Sequence, residues 1–282
     1  MREKTFESFD GTKLYYIHKK SKNPHTLIFL HGIGANWTIW RKEVEFFSNK
    51  GYSVIALDLR GHGLSEWPHH EDKYIFTNFI DDVHHLIKKE KIKDFSLVGH
   101  SIGGAIAITF CQRTNLKPKS LILLDSAHRY PYKKGHDLNM SPIIVNLLRF
   151  MAKHEHIENE IFSHLFKNKK KLNQFRDNHY NWFRLLHYAP MTVVFKCLDT
   201  VHEYSDKLGY KIEDTLKNFD KPTLIIASTD DKIIPPEFSE EIHNLIKGSK
   251  LEIMKDAHHS ITVDNANEVN NSIFTFLKNY NL

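Results

Sequence analysis

Five short runs, at 26–30, 52–57, 95–98, 120–125 and 223–227, are apolar along almost their whole length, and segments with helical spacing separate most of them. A strand with one wet face alternates apolar and polar residues. Runs without that alternation suit strands covered on both faces, the condition of a parallel sheet. The intervening helices fall at 37–47, at 74–90 and from the end of the third run to Arg113; in the second, Ile75, Phe79, Val83 and Leu86 or Ile87 share one face. Strands that alternate with helices imply a parallel sheet wrapped by helices. Two further β-prone runs, 4–9 and 12–18, meet at Asp10-Gly11, a hairpin signal. After the fifth run come a helix over 236–247, a strand over 250–254 and a last helix over 267–280. The expected architecture is α/β: a mostly parallel eight-stranded sheet with helices on both faces.

The rhythm breaks between the fourth and fifth runs. From His128 to Thr215 only helical patterns appear: one opened by Ser141-Pro142, an N-cap with proline at the first helical position, and others over 157–167, 172–187 and 191–206. The expected organisation is one core domain, 1–127 with 216–282, carrying a helical insertion at 128–215. Much of the net charge of +5 falls in that insertion, where fourteen Lys and Arg, including Lys169-Lys170-Lys171, face ten Asp and Glu. A solvated helix face explains so mild an excess, and no nucleic-acid motif accompanies it. The chain opens on charged residues without the apolar stretch of a signal peptide, and no run approaches the roughly 20 apolar residues of a membrane span. Cys111 and Cys197 lie far apart in helical patterns and read as small buried side chains in a reducing compartment. These features lead us to expect a cytoplasmic protein with no integral membrane association and no nucleic-acid partner.

Chemistry-bearing residues cluster where strands end. Residues 99–103 read Gly-His-Ser-Ile-Gly, between the run at 95–98 and the small apolar opening of a helix at 104–108. That is a strand, a tight turn with serine at its apex, and a helix whose first N–H groups are free. The glycines at 99 and 103 are expected to relieve crowding between strand and helix and to take up the unusual φ of the turn. A serine hydroxyl needs a base, and the base needs a partner that fixes its tautomer. Two later loops offer them: Ser228-Thr229-Asp230-Asp231-Lys232-Ile233-Ile234-Pro235 after the strand at 223–227, and Asp256-Ala257-His258-His259-Ser260 after the strand at 250–254. With 20 histidines in the chain, a histidine alone proves little; none of the clusters has a zinc-ligand spacing, and no metal is expected.

Taken jointly, His31-Gly32, the run Asp58-Leu59-Arg60-Gly61-His62-Gly63-Leu64-Ser65, the serine turn, the acid loop and the histidine loop make the chain resemble an α/β-hydrolase of the capped esterase, lipase and haloperoxidase-like branch. The resemblance implies the α/β-hydrolase fold and makes 128–215 its helical cap. It assigns the nucleophile to Ser101, the acid to Asp231 and the base to His259, with the backbone amides of Ile33 and Ile102 as the oxyanion hole. Two departures stand out: Ser228 occupies a usual glycine position, leaving Asp230 a rival acid, and His258 fills the glycine slot before the base. Asp125, after the preceding strand, is a second rival. His31, Asp58, Arg60 and His62 are expected to brace loops, although His31 could contact substrate. Tyr130, Phe150, Phe162, Trp182, Phe183, Tyr188 and Phe195 could line an acyl pocket or hold the cap together. Serine at the apex argues against the relatives that attack with aspartate, the haloalkane dehalogenases and epoxide hydrolases. The activity implied is hydrolysis of small-molecule carboxylic esters with apolar, small-to-medium acyl groups, without a cofactor, by a monomer or homodimer. Carbon–carbon or amide hydrolysis on the same triad, and a slow ligand sensor, are the alternatives.

Overall fold

The computed structural model describes residues 1–132, 136–153 and 189–282. Eight strands, β1 (Arg2–Glu7), β2 (Lys13–Lys19), β3 (Thr26–Leu30), β4 (Ser53–Leu57), β5 (Phe95–His100), β6 (Ser120–Leu124), β7 (Thr223–Ser228) and β8 (Lys250–Met254), form one sheet in the order β1-β2-β4-β3-β5-β6-β7-β8. The pairs β1–β2 and β2–β4 are antiparallel; every later pair is parallel. The described helices are α1 (Arg41–Asn49), α2 (Phe76–Lys89), α3 (Ile102–Arg113), α4 (Pro142–Lys153), α5 (Met191–Lys217), α6 (Pro236–Leu245), the single turn α7 (Ile261–Asp264) and α8 (Ala266–Asn279). The mostly parallel eight-stranded sheet is the one the apolar runs implied.

Alternate residues of each strand feed two separate apolar layers, as the two-residue repeat of a strand requires. Ile28, Leu30, Leu97, Leu121, Leu123 and Ile225 pack with residues of α2, α3 and α5 on one face. Leu27, Phe29, Val98, Ile122, Leu124 and Ile226 pack with residues of α1 and α8 on the other.

Two helices differ from expectation. The segment expected as a helix over 37–47 begins as a tight 3-10 turn at Trp37–Trp40 before α1, because the Asn36 side chain accepts from the Thr38 N–H at 3.1 Å and caps that turn. The helix expected over 191–206 runs on through Gly209 to Lys217. Glycine costs a helix interior about 1 kcal/mol. Burial of Ile212 and Leu216 in the layer under the sheet offsets it. The helices expected over 157–167 and 172–187 lie outside the described residues.

A fully buried arginine ties the antiparallel hairpin to the parallel sheet. Arg60 donates from Nε and Nη2 to the two Asp82 oxygens at 2.7 and 2.6 Å, and from Nη1 to Asp10 Oδ2 at 3.1 Å and the Lys73 carbonyl at 2.6 Å. Asp58, also buried, accepts from the N–H groups of Trp37 and Leu64 at 2.7 and 2.9 Å; burial pushes its carboxyl up to about 7. Both rings of the His31 and His62 pair are buried. His31 donates from Nδ1 to the Gly32 carbonyl and accepts at Nε2 from the Leu59 N–H, so its two nitrogens are spent on backbone. These four side chains hold the loops that follow β3 and β4.

Candidate active site

The serine turn is the tightest piece of the chain. Ser101, between β5 and α3, has φ 55° and ψ −122°, in the left-handed region that L-residues avoid. Such a conformation costs of order 1–3 kcal/mol and persists where surrounding structure dictates it. What dictates it is close approach: a β-carbon on Gly99 would sit 2.4 Å from the Gly103 carbonyl oxygen, and one on Gly103 would sit 2.1 Å from that of Leu30. The expectation about these glycines therefore divides. They supply space, whereas the unusual φ falls on Ser101 itself.

The loop after β3 reaches the same turn. A β-carbon on Gly32 would lie 3.2 Å from Ser101 Cβ, so this loop presses against the serine. Neither the Ile33 nor the Ile102 N–H donates to a described residue. Ile33, Ser101 and Ile102 all line one cavity. Ser101 Oγ forms no hydrogen bond with a described residue; contacts of this kind commonly tighten only when substrate is bound.

From the far side of the sheet come the acid and the imidazole. His259 donates from Nδ1 to Asp231 Oδ2 at 2.7 Å. The other oxygen of Asp231 accepts from the N–H groups of Ile233 and Ile234 at 2.8 and 2.9 Å, which fixes the carboxylate. Burial presses the His259 ring toward its neutral form, but the Asp231 charge and hydrogen bond, with the Asp125 charge behind them, outweigh burial and hold it above its ordinary value of 6.5. Asp230 is exposed and makes no such bond; His258, exposed too, donates from Nδ1 to the Asp230 carbonyl at 3.3 Å. Of the rival acids, only Asp125 lies near the imidazole. Both its oxygens are taken by Ser228, from the N–H and from Oγ, each at 2.8 Å. The serine in the usual glycine position is thus the partner of a second buried carboxylate, which burial and the charge of Asp231 push upward.

His100 is a part of the site that the sequence did not flag. Its Nε2 lies 2.7 Å from the His259 carbonyl oxygen and its ring centroid 4.7 Å from that of His259. Ligand-type atoms of His100, Asp125 and His259 lie within 4.8 Å of one another. Ser228 engages both Asp125 oxygens, and each imidazole spends one nitrogen, His100 on the residue-259 carbonyl and His259 on Asp231; a metal would find one nitrogen per ring and no uncommitted carboxylate in the cluster. Cys111 and Cys197 are free and buried; burial raises both thiols, Cys111 to about 12.

The cavity above the serine is a cleft of about 630 Å³, a volume that includes its mouth open to solvent. Ile102, Ala105, Ile108, Leu198, Val201 and Ile212 supply much of its wall, with Phe76 and Ile234. Arg129 is in the lining, but its guanidinium is held in a two-pronged pair with Glu241 at 2.9 and 2.6 Å. Of the aromatics singled out in the sequence, Tyr130 lines the cavity, Phe195 is buried in the layer beneath α5, and Phe150 is exposed on α4. Phe162, Trp182, Phe183 and Tyr188 lie outside the described residues. Tyr132 and Tyr204, which sequence reasoning passed over, also line the wall.

A strained serine turn after the middle strand of such a sheet, with loops from four strand ends around one cavity, defines the α/β-hydrolase class. Residues 21–266 match the family described as "Serine aminopeptidase, S33", and the chain belongs to that family, as a hydrolase of the α/β-hydrolase superfamily. It is 26% identical to "Epoxide hydrolase 3" of Xenopus tropicalis, over 95% of this chain and 75% of that one. Among solved structures it resembles an esterase from Exiguobacterium antarcticum (TM-score 0.77, 24% identity, 98% of this chain and 100% of that one). A bromoperoxidase from Bacillus anthracis is similar as well (TM-score 0.76, 22% identity, with the same coverage). At these identities the two structures speak to fold alone. Among the described residues, no helix is long and apolar enough to cross a membrane.

Proposed function

We propose that the protein is a serine hydrolase that cleaves carboxylic esters of apolar, small-to-medium acyl groups. The observation that carries this reading is the His259–Asp231 hydrogen bond on the rim that also holds the strained Ser101. In this reading His259 Nε2 takes the Ser101 proton as Oγ attacks the ester carbonyl. Asp231 keeps the proton on Nδ1 and stabilises the imidazolium as it forms. The N–H groups of Ile33 and Ile102, which donate to no described residue, receive the oxyanion; one such donor typically contributes about 3–4 kcal/mol in the transition state. His259 then protonates the leaving alcohol, and the acyl group rests in the apolar cavity until water, deprotonated by the same imidazole, releases the acid. In this reading the described part of the 128–215 insertion belongs to a cap, with Leu198, Val201 and Tyr204 of α5 supplying cavity wall.

The family description raises a second reading, release of an amino-terminal residue from a peptide. An aminopeptidase pocket needs a group to receive the substrate's ammonium, and no carboxylate lines the cavity among the described residues. The ester reading fits that wall better. Aspartate-nucleophile chemistry of the epoxide hydrolase kind lacks its attacking group, since serine stands at the apex of the turn.

A panel of p-nitrophenyl esters from acetate to dodecanoate, run beside aminoacyl p-nitroanilides, tests the proposal. Multiple turnovers with a maximum at short or medium chains, abolished at least 10³-fold in Ser101→Ala, are expected. Turnover that survives Ser101→Ala, or turnover confined to the anilides, would sink it; a single burst without further turnover would point to a sensor.

A further inference from the structure

His100 stands immediately before the candidate nucleophile, yet its side chain reaches a loop 159 positions further along the chain. The partner there is a carbonyl oxygen, which can only accept. His100 therefore carries its proton on Nε2 and donates it to residue 259 at 2.7 Å, leaving Nδ1 as a bare acceptor. That Nδ1 is buried and has no hydrogen-bond partner among the described residues. The ring is enclosed by Gly32, whose β-carbon would fall 3.0 Å from Nδ1, by Trp40 edge-on at 6.4 Å between ring centroids, and by the His259 ring at 4.7 Å. Burial and the neighbouring His259 hold His100 down at about 3, so the donor proton and the neutral ring persist throughout the neutral range.

A catalytic base on a loop must be fixed at two points. Asp231 fixes the His259 ring at Nδ1, but a ring pinned only there can still tilt with its backbone. We propose that His100 is the second point, a positioning residue whose Nε2–H clamps the His259 carbonyl and whose ring backs the imidazole, locking the base's loop to the serine turn. Because His100 is bonded covalently to Ser101, one rigid side chain fixes the separation of the two loops. Misplacement of reacting groups by about 1 Å can cost about 10²-fold in rate. The charged and titratable groups around the base are Asp231, Asp125 and His100 itself.

The kinetic part of this inference rests on the serine hydrolase reading; the clamp does not. In the wild-type protein, ¹⁵N NMR of labelled histidine should show residue 100 as the Nε2–H tautomer, without titration between pH 5 and 9. An Nδ1–H tautomer, or an ordinary titration, overturns the clamp whatever the enzyme does. With p-nitrophenyl butyrate, His100→Leu should lower kcat 10- to 100-fold while KM stays within about threefold. Its acid limb in kcat/KM should move to lower pH as the imidazole loosens from Asp231. His100→Gln, which can still donate to the carbonyl, should recover most of the rate and the wild-type limb. A His100→Leu enzyme with kcat within twofold of wild type, or a His100→Gln enzyme that falls as far with an unmoved limb, would overturn positioning. If His100→Leu does not fold, His100→Asn, whose amide stops short of the carbonyl, takes its place. Ser101→Ala separates the two failures: turnover that persists there defeats the hydrolase reading and leaves the NMR result to decide the clamp.

Discussion

Glu43, on α1, is fully buried, and neither carboxylate oxygen has a hydrogen-bond partner among the described residues. Burial pushes its carboxyl from 4.5 up to about 8. The folded protein thus holds a proton that the unfolded chain releases, so the stability tied to Glu43 is complete below pH 4.5 and drains away as pH rises toward 8. Glu43→Gln should be close to neutral at pH 4.5 and stabilising at pH 9, by on the order of 4 kcal/mol at about 1.36 kcal/mol per pKa unit. Urea titrations at the two pH values would check it; a gain that does not grow with pH would count against a protonated Glu43. The sign runs differently for activity. His259 must be neutral to act, and its pKa is raised, so kcat/KM for p-nitrophenyl butyrate should climb through a limb lying above pH 6.5. Asp231→Asn should bring that limb down and cost about 10⁴-fold in kcat. At this scale the sequence was partly legible. The serine turn and the acid and histidine loops stand out because local motifs mark them. Ser228 was visible only as a departure, and its reason, the carboxylate of Asp125, sits 103 positions away. The bond from His100 to residue 259 leaves no local trace at all.

Strands were easier to read than helix ends. A run such as Leu121 to Leu124, buried on both faces of the sheet, leaves no ambiguity of period, and all eight strands fall where apolar or β-prone runs stood. Helix boundaries depend on what the far end packs against, and α5 shows it. Nothing lies within 4 Å of where a β-carbon on Gly209 would be, and Ile212 and Leu216 beyond it are buried. Gly209→Ala should therefore stabilise the protein, by up to about 1 kcal/mol, seen as a higher urea midpoint with an unchanged slope. The join between α2, the β1–β2 hairpin and the loop after β4 is less forgiving. Arg60→Met would leave Asp82 charged and unpaired in the interior, and a loss of about 3–5 kcal/mol in chemical denaturation is expected. A loss below 1 kcal/mol would mean that the cluster is dispensable.

Seen whole, the molecule sets its cavity against only one of the two apolar layers. Ile212, on α5, belongs to the layer under the cavity and lines its wall, whereas Ile273, on α8, lies wholly in the layer across the sheet. Ile273→Val should cost about 0.5–1.5 kcal/mol in stability and leave kcat/KM unchanged across an ester panel. Ile212→Ala should cost more and also shift the preferred acyl length upward. Equal effects of the two substitutions on chain-length preference would refute the division. Such a sheet insulates: one side can drift, be repaired or be made heat-resistant by ordinary substitutions while the other is free to explore new ligands, and an engineer could improve durability and selectivity in separate campaigns.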